Sequence, residues 1–391
     1  MRIAWLVGTV GTALFAVTWL GCNSLLGLAD PQEVPFPPEG GASEGGASGD
    51  GGASGPMSDD PNNCGSVGHV CNAGTMPACQ GGLCNYTFAV SQRPVYDMLI
   101  SQGTLYWAIS NQPPAGLVVS CPTVGCSLPT TVVPSLQSPF GLALDSTNAY
   151  WTTLAAIDGV VQTCPLTGCS SPTNIGTEAT GAPTSGIVVV GGNVYYIAGY
   201  GIQSCATDGG GCQQVYGAGN PYPFWIATDG TDLFWTDNIL NLVLSCPAAP
   251  AACTNPKTVA TGQAGAAVIV ADANNVYWMD AVADPKNTGA TINAVYSCAK
   301  TGCGGSPTVL AQDLPGLGGN SPGSSMVIDG SNLYWTNTTM TGTVMKCAVT
   351  GCGGTPTVLA AEQSMPFAVV VDDTNVYWSN LMDGTIRYTS K

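Results

Sequence analysis

The sequence predicts an all-β protein, a seven-bladed β-propeller closed by an N-terminal strand, and three observations predict it. An aromatic pair recurs seven times, at Tyr106/Trp107, Tyr150/Trp151, Tyr195/Tyr196, Phe234/Trp235, Tyr277/Trp278, Tyr334/Trp335 and Tyr377/Trp378. Successive pairs lie 44, 45, 39, 43, 57 and 43 residues apart, the period of a four-stranded blade. The chain of 391 residues carries 52 Gly and 28 Pro with only 8% charged residues, a composition of short strands and tight turns.

Taken from the N-terminus, Met1-Arg2 and the uncharged apolar residues 3–20 read as an export signal ending in Leu20-Gly21-Cys22. That ending resembles a bacterial lipoprotein signal, residues 1–21, with Cys22 the lipidated residue; Trp19 departs from the pattern, and an uncleaved membrane anchor is the other reading. Residues 22–63 repeat Gly-Gly-Ala-Ser three times and, from Asp30 to Asp60, hold seven acids and no Lys or Arg. Such a segment buries too little apolar surface to order itself and reads as a flexible tether with a span of roughly 35–40 Å. A Cys-rich segment, residues 64–84, precedes the propeller at 85–391.

Each repeat places an apolar strand, an Asp turn and the aromatic pair in succession. In the clearest copy the strands are expected at 326–329, 333–337, 343–347 and 355–360. Neighbouring blades cover both faces of a blade, so Val376, Tyr377 and Trp378 are all expected to be buried although their side chains alternate. The last copy stops after a third strand at 385–388, and residues 85–90 are expected to supply its outer strand. The 57-residue spacing reflects insertions at 279–291 and 312–325.

The 17 cysteines divide into Cys22, an N-terminal cluster (Cys64, Cys71, Cys79, Cys84) and six close pairs: Cys121/Cys126, Cys164/Cys169, Cys205/Cys212, Cys246/Cys253, Cys298/Cys303 and Cys347/Cys352. Each close pair flanks a hairpin turn between third and outer strand, within disulfide reach across the ladder, and each bridge contributes about 2 kcal/mol by loop entropy. Zinc would need four ligands to converge, whereas successive pairs sit around a rim. Cys79 and Cys84 are expected to be the counterpart of the close pairs for the last blade, with Cys64 bonded to Cys71; Cys64/Cys79 with Cys71/Cys84 is the alternative.

The Asp turns (Asp145, Asp229, Asp272, Asp329, Asp372) lack the dense alternating oxygens of a calcium loop, and local hydrogen bonding explains them, so no cofactor is assigned. His69 is the only histidine and lies outside the repeats, which removes a histidine-based triad from the propeller. No acid is expected at an inner-strand position out of step with the repeat. The net charge is -16, with no basic patch to neutralise phosphates, which argues against nucleic acid as partner.

The Tyr/Phe-Trp-Thr-Asn/Asp element at 234–237 and 334–337 resembles the YWTD-type propellers of lipoprotein receptors. With the Cys-rich segment and the Gly-Cys-Asn-Ser-Leu-Leu-Gly start, it is closer to propeller lipoproteins of myxobacterial type, a grouping without assigned activity. The receptor-type propellers usually have six blades and keep the Asp, which a full aromatic-Trp-Thr element retains here only at Asp237, so their partner sites do not transfer.

The expected function is therefore a non-enzymatic binding or scaffold module, a lipid-anchored monomer at the cell envelope facing the periplasm or the surface, with a protein or carbohydrate ligand. A carbohydrate-active hydrolase or lyase using carboxylates near the central channel is one alternative, and a purely structural envelope protein another. Recognition is expected on the face opposite the Asp and Cys turns, through Tyr222, Trp225 and the inserted segment containing Asp284 and Lys286.

Overall fold

The computed structural model describes Cys64, Cys71 and residues 77–391, except 81, 91, 93, 111–115, 125, 154–158, 178–185, 218–220, 284–290 and 315–324. Cys22, His69, Asp284 and Lys286 lie outside the described residues, as do the signal and the tether. Among the described residues no helix is long and apolar enough to cross a membrane.

Seven antiparallel sheets follow one another, each running from an inner strand outwards. The blades span residues 95–136, 139–177, 187–216, 223–261, 266–314, 326–363 and 366–390. The last is completed from the N-terminus: Leu83–Ala89 pairs with Thr385–Ser390 through Tyr86 opposite Tyr388 and Thr87 opposite Arg387. A further strand, Pro77–Gln80, pairs on the outside and gives this blade five strands, a feature the repeat pattern does not announce.

The aromatic pair is a dovetail between blades. There is a core at every blade junction, and in each the first aromatic of one blade packs with the second aromatic of the next. Tyr106 shares a core with Trp151, Tyr150 with Tyr196, Tyr195 with Trp235, and Phe234 with Trp278. Tyr277 joins Trp335, Tyr334 joins Trp378, and Tyr377 joins Trp107 across the closure. Alternation along the strand thus sends adjacent rings to opposite neighbours, and Val376, Tyr377 and Trp378 are all buried as expected.

The Thr or Ser after the pair adds a hydrogen-bonded link. Thr336 Oγ1 accepts from the Ser325 amide (3.1 Å) and donates to the Phe367 carbonyl of the next blade (2.6 Å). Thr236 links Trp225 to Ala267, and Ser379 links Ala368 to Val95, in the same way. A glutamine 15 residues before the Trp provides another clip. The indoles of Trp107, Trp278 and Trp378 donate to Gln92, Gln263 and Gln363 at 3.1, 2.9 and 2.9 Å. Blades also abut closely at Gly342, where a Cβ would stand 2.5 Å from Pro366 Cδ and 2.3 Å from the Asn337 carbonyl, so no larger residue fits.

Several boundaries differ from expectation. The outer strand of the sixth blade is Thr357–Gln363, later than 355–360, because Gly353 and Gly354 take positive φ and prolong the turn. The insertion at 279–291 is largely strand: Asn275–Ala283 and Thr291–Ala299 form a lengthened hairpin, leaving 284–290 at its tip. Part of the 312–325 insertion likewise continues the outer strand Thr308–Leu314.

Candidate functional site

Antiparallel order puts the Asp and Cys turns on one face of the ring and the second-to-third turns and blade connectors on the other. On the turn face the carboxylates are consumed locally. Asp145 Oδ1 accepts from the Thr147 and Asn148 amides and Oδ2 from the Tyr150 hydroxyl at 2.6 Å. Asp272 and Asp372 clasp Tyr277 and Tyr377 at 2.8 and 2.9 Å. The fourth blade has Phe234 in place of Tyr, and Asp229 there takes an ion pair with Lys300 instead. Burial pushes the Asp145, Asp272 and Asp372 carboxyls up, but hydrogen bonds outweigh it and each ends below its ordinary value. Burial and the bond to Asp145 raise the Tyr150 hydroxyl to about 12.

The six close cysteine pairs are bonded as expected: Cys121–Cys126, Cys164–Cys169, Cys205–Cys212, Cys246–Cys253, Cys298–Cys303 and Cys347–Cys352. Their placement corrects one detail, because the partners do not face each other across the strand ladder. The first cysteine of each pair lies in the third strand and is buried, whereas Cys126, Cys169, Cys212, Cys253, Cys303 and Cys352 all sit in the turn ahead of the outer strand. Cys212 is exposed there, and the other five are half-buried. The turn is held by the preceding blade: the amides of Cys169, Cys253 and Cys303 donate to the carbonyls of Val132, Val215 and Val259 in its outer strand, at 3.3, 2.7 and 2.9 Å. A second cysteine bonded to that neighbouring strand cannot also join the ladder of its own blade.

The N-terminal cluster takes the alternative arrangement, Cys64–Cys79 and Cys71–Cys84, in place of Cys79–Cys84 with Cys64–Cys71. Cys79 and Cys84 do stand opposite each other across the Pro77–Gln80 hairpin, yet each is bonded to a residue preceding it. Spacing reports the opposition but not the crossing.

On the connector face, Tyr222 is 43% exposed and meets Tyr200, 61% exposed, in a tilted ring contact with 6.2 Å between centroids. The adjoining turn presents Ile239 and Leu240 and is tied to this segment by the Asn238 amide bonded to the Tyr222 carbonyl. Asp237 organises the corner by accepting from the Tyr222, Ile239 and Leu240 amides. Trp225, expected in the same segment, stands instead in the inner strand Pro223–Thr228 and lines the channel, packed against the cores on either side of the fifth blade.

The channel between the inner strands encloses about 290 Å³. Its wall is apolar apart from a few groups, and it corrects one expectation: Asp97 lies in the inner strand Val95–Ser101, where no other blade has an acid at the matching position. Asp97 is half-buried and lines the channel. Burial pushes its carboxyl up to about 7 against the opposing pull of the Leu142 and Met98 amides, which donate at 2.8 and 2.9 Å. Alignment on the Trp, ten residues on, reveals Asp97 as the odd member of the set. Asp97 is the only carboxylate among the described residues lining the channel, whereas two-carboxylate glycoside cleavage needs a pair.

No protein-family model and no curated protein matches this chain. Solved structures match by fold. The WD40 β-propeller domain of Doa1 superposes with a TM-score of 0.55 at 11% identity, covering 78% of this chain and 95% of that one. A puromycin-hydrolysing peptidase of Mycobacterium tuberculosis gives 0.53 at 12% identity, covering 78% of this chain and 54% of that one. A nidogen/laminin complex is 20% identical over 74% of this chain and 89% of that one, but its TM-score of 0.44 is too low to extend the receptor-type resemblance. The chain is an all-β, seven-bladed propeller.

Proposed function

We propose that this chain is a binding or scaffold module held at the cell envelope through lipid on Cys22, and that its connector face receives a protein partner. The observation that carries the reading is the contrast between the two faces. On the turn face Asp145, Asp272 and Asp372 are engaged by their own backbone and tyrosines, and Asp229 and Asp329 by Lys300 and Lys391, while the connector face presents Tyr200, Tyr222, Ile239 and Leu240 together on adjacent blades. Contiguous aromatic and aliphatic side chains on a rigid support supply contact area at little ordering cost.

Envelope extracts passed over the immobilised chain test the reading. A species retained by the native chain and lost with Tyr222→Ala/Leu240→Ser, at an unchanged melting temperature, supports it; equal retention by both removes this face. Fractionation tests the anchor separately: Cys22→Ser is expected to move the protein from membranes to the soluble fraction, and retention at full length overturns lipidation.

A further inference from the structure

The inner strands of the seven blades share an equivalent position, occupied in ring order by Asp97, Gly141, Gly186, Trp225, Val268, Ser325 and Ala368; all but the buried Ala368 line the channel. Two of these side chains do the same structural job. Asp97 Oδ2 accepts from the Leu142 amide of the next blade, and Ser325 Oγ accepts from the Val369 amide of its next blade at 3.3 Å. A neutral hydroxyl is therefore sufficient to bridge the blades, and the negative charge at Asp97 goes beyond what the bridge requires. A carboxylate enclosed by apolar wall is costly unless a cation meets it, and among the described residues no Lys, Arg or His lines the channel.

The surroundings suit a cation on an organic body. The following blade has glycine at this level, Gly141, which lines the channel together with the carboxylate and adds no side chain beside it. Tyr96 and Phe140 line the same mouth with centroids 5.3 Å apart, and Phe367 lies 5.5 Å from Tyr96 on the other side. Aromatic faces attract ammonium groups and accept alkyl chains, whereas an anion would meet Asp97 and be repelled.

We propose that the connector-side mouth of the channel binds an alkylammonium group, with Asp97 as its counter-ion and Tyr96 and Phe140 against its apolar body. A free amine and a lysine side chain of a docked protein offer the same chemistry. The site is formed by the inner strands alone and stands whether or not the outer patch at Tyr222 holds a partner.

Calorimetric titration of the full chain at low salt tests this, using n-butylammonium, a capped lysine-containing peptide, and butanol and butyrate as neutral and anionic controls. Saturable binding of n-butylammonium or of the peptide is expected, with butyrate silent. Preference for the free amine assigns the site to a small molecule, and preference for the peptide assigns it to a partner's side chain. Asp97→Ser, which installs the bridge the sixth blade already uses, is expected to weaken binding by roughly tenfold or more, and Tyr96→Leu by several-fold. Binding by neither probe, equal affinity in folded Asp97→Ser, or butyrate binding as well as butylammonium overturns the proposal. Should Asp97→Ser fail to fold, the native chain decides: n-butylammonium affinity must fall as Asp97 is protonated between about pH 8 and pH 5, and a flat profile overturns the site.

Discussion

Replacing Asp97 by Ser should reverse part of the protein's dependence of stability on pH. The carboxyl is raised from 3.8 to about 7 in the folded chain, first by burial and against the pull of two amides. Between these values the folded state holds a proton that the unfolded chain has released, so stability falls as pH rises through this window and is then constant. At 1.36 kcal/mol per pH unit the full loss approaches about 4 kcal/mol, of which about 2.5 kcal/mol accrues between pH 5 and pH 8; water in the channel makes both upper bounds. Tyr96 is the other ionisable side chain in the channel lining. Asp280, pushed up to about 6 by burial, acts in the same direction, while Asp145, Asp272 and Asp372, held below their ordinary values, contribute stability that is lost as pH falls. These groups are common to both chains and cancel in the comparison. Denaturant unfolding of native protein and Asp97→Ser, disulfides intact, at pH 5 and pH 8 isolates the effect. The variant should gain on the native chain by up to about 2.5 kcal/mol on going to the higher pH. Parallel pH profiles would refute the reasoning.

Three further outcomes are expected. Thr336→Val keeps shape but removes the hydroxyl joining Ser325 to Phe367; a loss of about 1–3 kcal/mol is expected in the same unfolding assay, and a neutral result contradicts the linking role. Gln363→Leu orphans the buried Trp378 indole and cuts the bond to Gln80; it should cost about 1–3 kcal/mol and speed hydrogen exchange in Thr385–Ser390, and unchanged exchange there counts against the clip. Non-reducing peptide mapping should recover Cys64–Cys79 and Cys71–Cys84 as separate links; recovery of Cys79–Cys84 refutes the crossed arrangement.

The architecture was legible in the sequence because the same constraint acts at every junction: two rings must face opposite neighbours, so Tyr-Trp recurs at a fixed interval. The closing strand was legible for a related reason, since a third strand at Thr385–Ser390 without a fourth demands a partner. The clasp of Asp145 on Tyr150 was only half visible: the turn chemistry is local, but that the hydroxyl five residues on returns to the same carboxylate depends on strand geometry. The close cysteine pairs were legible as pairs, yet the seat of Cys169, Cys253 and Cys303 against the preceding blade is a contact between repeats that spacing within one repeat does not carry. Gln92, Gln263 and Gln363 carried a constant offset to their Trp that aromatic counting alone passes over. Asp97 was missed because counting aromatic pairs fixes the Trp but passes over the position ten residues before it, where Asp97 is equivalent to Gly141 and Ser325. The strand that carries Trp225 was not legible because Pro221 and Pro223 read as loop, whereas Pro223 begins an inner strand.

The crossed cystines at the closure determine how the ring would respond to mechanical load. A pull on the chain ahead of Cys64 passes through the Cys64–Cys79 bond into Pro77–Gln80. From there force reaches Leu83–Ala89 and the seam with Thr385–Ser390, where the Tyr86–Tyr388 ring contact, the Arg387–Asn85 bond and the Thr389 hydroxyl on the Cys84 carbonyl act side by side. Bonds loaded in parallel along a strand must fail together, whereas bonds loaded one after another peel. Reducing the two cystines would move the load from the Cys64–Cys79 bond onto the backbone entering Pro77–Gln80, and change the first event under tension from shearing of the seam to unravelling of the hairpin.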